Sequence, residues 1–281
     1  MKKCFLFFAC AMPFVITAQQ TLSHAVIKTR IHTSAESSGM NRPSEMVRVM
    51  NQQMGGSTIL TEYLKDSVRK TIAAGKLAEK TMIYNQHTGV STTITELNGT
   101  LTGFTQTPKQ RAEHLERLDS AIHAKQISPV TIRFIDVVEV VGIKYTDKEK
   151  QINNINCKKA VFTTKNQFGN ISETDIWYSP DYVLPEGVDI LPGSLLNLSM
   201  INGLPVKYEY VNKITMGINE VVAVTRYEIK SISTDVAIED KEFETPSDYQ
   251  LITSDQYTNE ILNPKMMPPR MTFRTTPVRT N

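Results

Sequence analysis

Cys157-Lys158-Lys159-Ala160-Val161-Phe162-Thr163-Thr164 and Ile171-Ser172-Glu173-Thr174-Asp175-Ile176-Trp177-Tyr178 are two runs rich in β-branched and aromatic residues. Between them lies Lys165-Asn166-Gln167-Phe168-Gly169-Asn170, a connection with turn-forming Asn and Gly. The pattern predicts a β-hairpin. A Pro/Gly-rich loop, Pro180 to Gly193, follows. Asn202-Gly203-Leu204-Pro205 then leads into a third strand, Val206 to Tyr210. The hairpin carries Trp177, the only tryptophan, and its weight predicts burial in the sheet core. Strand neighbours point to opposite sides, so Tyr178 is expected on the other face.

Outward from this block the chain keeps the same character. His24 to His32 alternates, with Ala25, Ile27 and Ile31 on one side and His24, Lys28, Arg30 and His32 on the other, as in a half-buried strand. His24 and His32 stand too far apart along it, roughly 26 Å at strand rise, to share a metal ion. Ser34 to Pro43 is polar and is expected as a loop. Strands are expected at Ser57 to Lys65, Ser67 to Ala73, Lys80 to Gln86 and Val90 to Leu97, and Asn98-Gly99 is a strong hairpin turn. Thr107-Pro108-Lys109-Gln110 changes the period: a capping box and an N1 proline open a helix over about 107–125. Pro129 to Tyr145 is strand-like, Asp147 to Asn156 is expected as a charged loop, and Tyr208–Ile214 with Glu220–Ile232 form a further hairpin. The fold class is therefore mainly β: a curved antiparallel sheet or half-open barrel with one substantial covering helix.

The ends of the chain address its destination. Lys2 and Lys3 precede an apolar run from Phe5 to Ile16 and then Thr17-Ala18, as in a secretory signal peptide over residues 1–18. Lipid attachment at Cys10 is the rival, though it would leave an apolar run of only Phe5 to Ala9. Loss of the two lysines takes the formal charge from +2 to zero, which gives no reason to expect nucleic acid. Cys4 and Cys10 leave with the leader, so Cys157 has no partner for an intramolecular disulfide; it is buried or pairs between chains. Residues 19–255 are expected as one β-rich domain. Residues 256–281 form a flexible Pro/Met/Arg-rich tail, with Lys265, Arg270, Arg274 and Arg279 and no acid after Glu260. No transmembrane segment is expected in the mature chain.

Cys157-Lys158-Lys159-Ala160, Ile176-Trp177-Tyr178-Ser179-Pro180, Gly203-Leu204-Pro205 and Phe243-Glu244-Thr245-Pro246-Ser247-Asp248-Tyr249 together resemble the GLPGLI family of secreted bacterial envelope proteins. Tyr63-Leu64-Lys65-Asp66-Ser67-Val68-Arg69 looks like the same family's strand and basic return strand. The resemblance covers roughly residues 57–250 and implies a β-rich plan similar to the half-open barrels of the LolA and LolB lipoprotein carriers. It supplies no catalytic residue.

The residues themselves show no Gly-x-Ser-x-Gly elbow, phosphate loop, dinucleotide fingerprint, calcium loop or His/Cys cluster. Asp136 and Glu139 beside a valine-rich strand fit edge-strand solubility. No catalytic, cofactor-binding or metal residue is assigned, and no cofactor is expected. The candidate binding or structural residues are Trp177, Tyr178, Gly203, Leu204 and Pro205. Gly203 and Pro205 fit a structural role better than a recognition role. The expected function is a non-catalytic envelope or periplasmic binding module that holds an apolar small molecule, lipid or protein partner in a sheet concavity. The alternative is a structural or assembly protein that docks through its surface and basic tail.

Overall fold

The computed structural model describes residues 19–37, 47–48, 51, 56–76, 78–97, 99–123, 139–165, 171–185, 198–216, 219–247, 249–253 and 255–256. The leader, the strand-like stretch 129–138, the hairpin connection 166–170 and all but the first residue of the tail lie outside them.

Fourteen strands are described: β1 Gln20–Thr21, β2 His24–Ser37, β3 Gly56–Lys65, β4 Val68–Ala74, β5 Glu79–Asn85, β6 Ser91–Leu97, β7 Thr100–Gln106, β8 Glu139–Ile152, β9 Ile155–Lys165, β10 Ile171–Ser179, β11 Tyr182–Val183, β12 Leu204–Met216, β13 Asn219–Ser233 and β14 Gln250–Leu251. Twelve form one sheet in the order β14-β7-β6-β5-β4-β3-β2-β13-β12-β10-β9-β8. Its two edges do not pair with each other, so it stays open. Every pairing within it is antiparallel except β14 on β7. β1 and β11 form a separate parallel ribbon. The expected fold class is therefore the observed one.

Local chemistry explains most joints. Asp66, at φ 52, makes the tight turn between β3 and β4, and Gly99, at φ 78, sits in the turn between β6 and β7. The helix α1, Pro108–His123, opens on its capping box: Gln110 N donates to Thr107 Oγ1 at 3.3 Å and Thr107 N donates to Gln110 Oε1 at 2.9 Å. Arg111 ties α1 to the β5–β6 end of the sheet, donating to Gly89 O and lying 5.3 Å from the Tyr84 ring centroid.

Two expected loops are strand instead. β2 runs on to Ser37 because β13 supplies a partner for each residue, Ser37 meeting Val221 and Ala35 meeting Ala223. Asn51 completes that edge by bonding both Ala35 N and Ala35 O at 2.7 Å. The charged run from Asp147 belongs to β8 up to Ile152. β8 is an edge strand that is exposed through most of its length, and so it tolerates Lys and Glu. Its turn is Asn153-Asn154, both at positive φ (49 and 65), leading directly into β9.

Alternation and register divide the sheet into a core face and an open face. On the core face, Ala25 and Ile27 of β2, Leu64 of β3, Phe162 of β9, Ile176 of β10, Tyr208 of β12 and Tyr227 and Ile229 of β13 are all buried. Tyr208 and Tyr227 stack with centroids 4.8 Å apart. The same face buries an ion pair, Arg69 with Glu62. Burial pushes the Glu62 carboxyl up, against the opposing pull of Arg69.

Candidate functional site

Gly203, Leu204 and Pro205 lock β12 onto the end of β10. Tyr178 pairs with Pro205 while Trp177 pairs with Lys207, which leaves Val206 as the extra residue of a β-bulge. Gly203 has φ +147, and a Cβ built there would lie 2.3 Å from Ser179 O and 2.8 Å from Tyr178 Cδ2. Only glycine fits both the torsion and the approach. Leu204 and Val206 are 1% and 0% exposed. Tyr178 is buried edge-to-face against Tyr145, whose hydroxyl accepts from Asn202 N at 3.1 Å. These four candidate residues form a structural joint.

Trp177 departs from the expectation of full burial. Ile176 and Tyr178 take the core face, so alternation turns Trp177 to the open face, where it is half-buried. There Lys150 of β8 lies 3.8 Å above the centre of its ring.

Trp177 is part of a groove of about 470 Å³ that crosses β10, β12, β13, β2 and the start of β3. Its floor is built in cross-strand rows. One row runs Trp177, Lys207, Glu228, Arg30, with Lys159 beside Trp177 just outside the groove. The next runs Glu209, Arg226, His32, Ser57. Beside it lies the β8–β9 turn, whose Asn153 Nδ2 donates to Glu228 Oε1 at 3.1 Å and Ile229 O at 2.7 Å.

The groove's acids are already engaged. Glu228 accepts from Lys207 at 2.9 Å, from Lys230 and from Asn153. Burial pushes its carboxyl up, but the hydrogen bonds from Lys230, Lys207 and Asn153 prevail and hold the pKa at about 2. Glu209 takes Arg226 at 2.7 Å and Asp175 takes Lys159 at 2.5 Å. Arg30 and Lys150 have no carboxylate partner among the described residues. The lining thus mixes apolar surface with charges of both signs, Arg30, Lys207, Arg226 and Lys230 against Asp175, Glu209 and Glu228, a surplus of one positive charge.

His32 Nδ1 lies 3.2 Å from Ser57 Oγ. A nucleophile pair of this kind needs donors aimed at a developing oxyanion. Ser57 and His32 face each other in the β2–β3 ladder, where backbone N–H groups serve the strand pairing. Among the described residues no group of three His, Cys, Asp or Glu could hold a metal ion. None of the described helices is long and apolar enough to cross a membrane. Cys157 is buried and free, and burial pushes its thiol up to about 11 against the smaller pull of Lys150.

Sequence reasoning took Trp177 from this site and missed its other members. Alternation puts Arg30 and His32 on the wet face of their strand, but no local signal joins them to Lys207 or Glu228.

No protein-family model matches the chain, and no curated protein matches it. Among solved structures it is similar to PNGF-II in two crystal forms, each at 13% identity and TM-score 0.32, over 84% of this chain. The chain spans about a third of the length of PNGF-II, 33% and 32% in the two forms. It is also similar to MucB, at 10% identity and TM-score 0.30, over 82% of this chain and 60% of MucB. A fourth likeness is to a putative outer membrane lipoprotein-sorting protein domain from Vibrio parahaemolyticus, at 8% identity and TM-score 0.21, over 80% and 91% of the two chains. Likeness at this level says nothing about function, and the motif resemblance to the GLPGLI family stays a resemblance.

Proposed function

We propose that the protein is a non-catalytic binding module of the bacterial envelope, and that its ligand lies in the groove on the open face of the sheet. Export rests on Lys2, Lys3 and the apolar run that follows them. The observation that carries the binding reading is the groove itself: about 470 Å³, within the usual range for small-molecule sites, with a half-buried aromatic and convergent polar groups. The non-catalytic reading is supported by the state of the groove's acids. Each is held by cations, and a carboxyl at about 2 makes a weak base.

Native mass spectrometry of the protein purified without denaturant, before and after unfolding, tests the reading. A bound small molecule released on unfolding is expected. Protein that carries none, and gains no mass when incubated with envelope extract, would refute it.

A further inference from the structure

Arg30 stands at one end of the groove's main row, and Lys150 of β8 lies over the Trp177 ring near the other. From Trp177, under Lys150, to Arg30 the row crosses three strand spacings, about 14 Å. Among the described residues Lys150 meets the Trp177 ring and no carboxylate, and Arg30 has no acid within ion-pair distance although Glu228 is its cross-strand neighbour. Glu228 is turned away to Lys207, Lys230 and Asn153. Two cations with no carboxylate partner among the described residues, one in the groove and one beside it over Trp177, suit negative charge at both ends of one ligand.

We propose, resting on the groove reading above, that the ligand is a small soluble polyanion bearing phosphate or carboxylate groups about 14 Å apart or less. The guanidinium of Arg30 offers a planar fork to one acidic group, and the Lys150 ammonium leaves the ring face to meet the other. A flat bilayer is a poorer fit, because the β8–β9 turn is pinned beside the groove by Asn153 to Glu228 and Ile229. The chain's own basic tail carries the wrong sign.

Trp177, as the only tryptophan, reports occupancy directly. Tripolyphosphate and citrate are titrated separately against the full mature chain while its emission is followed, and vesicles containing phosphatidylglycerol form a third arm. Saturable change with a soluble probe is expected, weakening with salt and weakening about tenfold in Arg30→Gln and in Lys150→Gln. Glu228→Gln frees Lys207 and Lys230 and is expected to bind more tightly. Arg30 is exposed, so Arg30→Gln is expected to fold, which its melting curve checks. Binding that neither Arg30→Gln nor Lys150→Gln weakens would overturn the proposal, as would binding to vesicles alone. If neither soluble probe binds but a copurified ligand shifts Trp177 emission, the polyanion class fails and the groove reading stands.

Discussion

Replacing Gly203 with Ala adds one methyl group at the point where β12 is locked to β10. The methyl carbon would arrive 2.3 Å from Ser179 O and 3.1 Å from Ser179 C, and these are main-chain atoms that cannot swing aside. The residue would also be held at φ +147, outside the favourable regions for a side chain. The torsion costs about 1–3 kcal/mol, and overpacking against fixed backbone adds about 1–3 kcal/mol. For a body of this size 1 kcal/mol is about 2–4 °C. Gly203→Ala is therefore expected to lower Tm by at least about 5 °C. Gly56 separates the two costs, since it has φ +130 with nothing within 4 Å of the added carbon. Gly56→Ala should lose only the torsional part. Melting followed by circular dichroism, paired with urea unfolding at unchanged m, reads both. Equal losses in the two variants would refute the close approach, and a Gly203→Ala shift under about 2 °C would refute the whole argument.

Leu204→Ala, at a position 1% exposed, is expected to cost about 2–5 kcal/mol by urea unfolding. Cys157, with its thiol raised to about 11, has only about 0.1% thiolate at pH 8, so thiol reagents should label it only after unfolding. Glu228 has its folded pKa lowered to about 2, so its contribution is present above the unfolded value near 4.5 and lost as pH falls toward 2. The stability gap between wild type and Glu228→Gln should accordingly close over that window in an acid titration. Arg69→Met strands the buried Glu62 carboxylate and should cost about 3–5 kcal/mol, most of it recovered when Glu62 is also made apolar. Additive losses in that double-mutant cycle would show that the two do not act as a pair.

Most of the fold was legible because most of its joints are local. Asn98-Gly99 dictates a hairpin, and Thr107 with Gln110 dictates a helix start, whatever the rest of the chain does. The alternation of Ala25 and Ile27 likewise gave the buried side of β2, at 1% and 2% exposure. Where a partner strand decides, sequence was silent: Ser34 to Ser37 is polar and became strand only because β13 lies alongside it. Asn153-Asn154 did carry a signal, since Asn accepts positive φ, but charged neighbours masked it.

The candidate site was less legible, for the same reason. Its row joins Arg30 to Glu228 through a pairing between β2 and β13, strands from opposite ends of the sequence. On its own strand each of these residues is an ordinary solvated charge. Trp177 was noticed for its size, and size argued for burial; the alternation that gives Ile176 and Tyr178 to the core argued the other way and prevailed.

The most direct test of the groove is acrylamide quenching of Trp177, first on protein stripped of small molecules by unfolding and refolding, then after adding back the released fraction. Intermediate quenching of the stripped protein is expected, as suits a half-buried ring under Lys150, with marked shielding once the groove is filled. A rebound ligand seen by native mass spectrometry with quenching unchanged would place the binding site elsewhere and contradict the assignment.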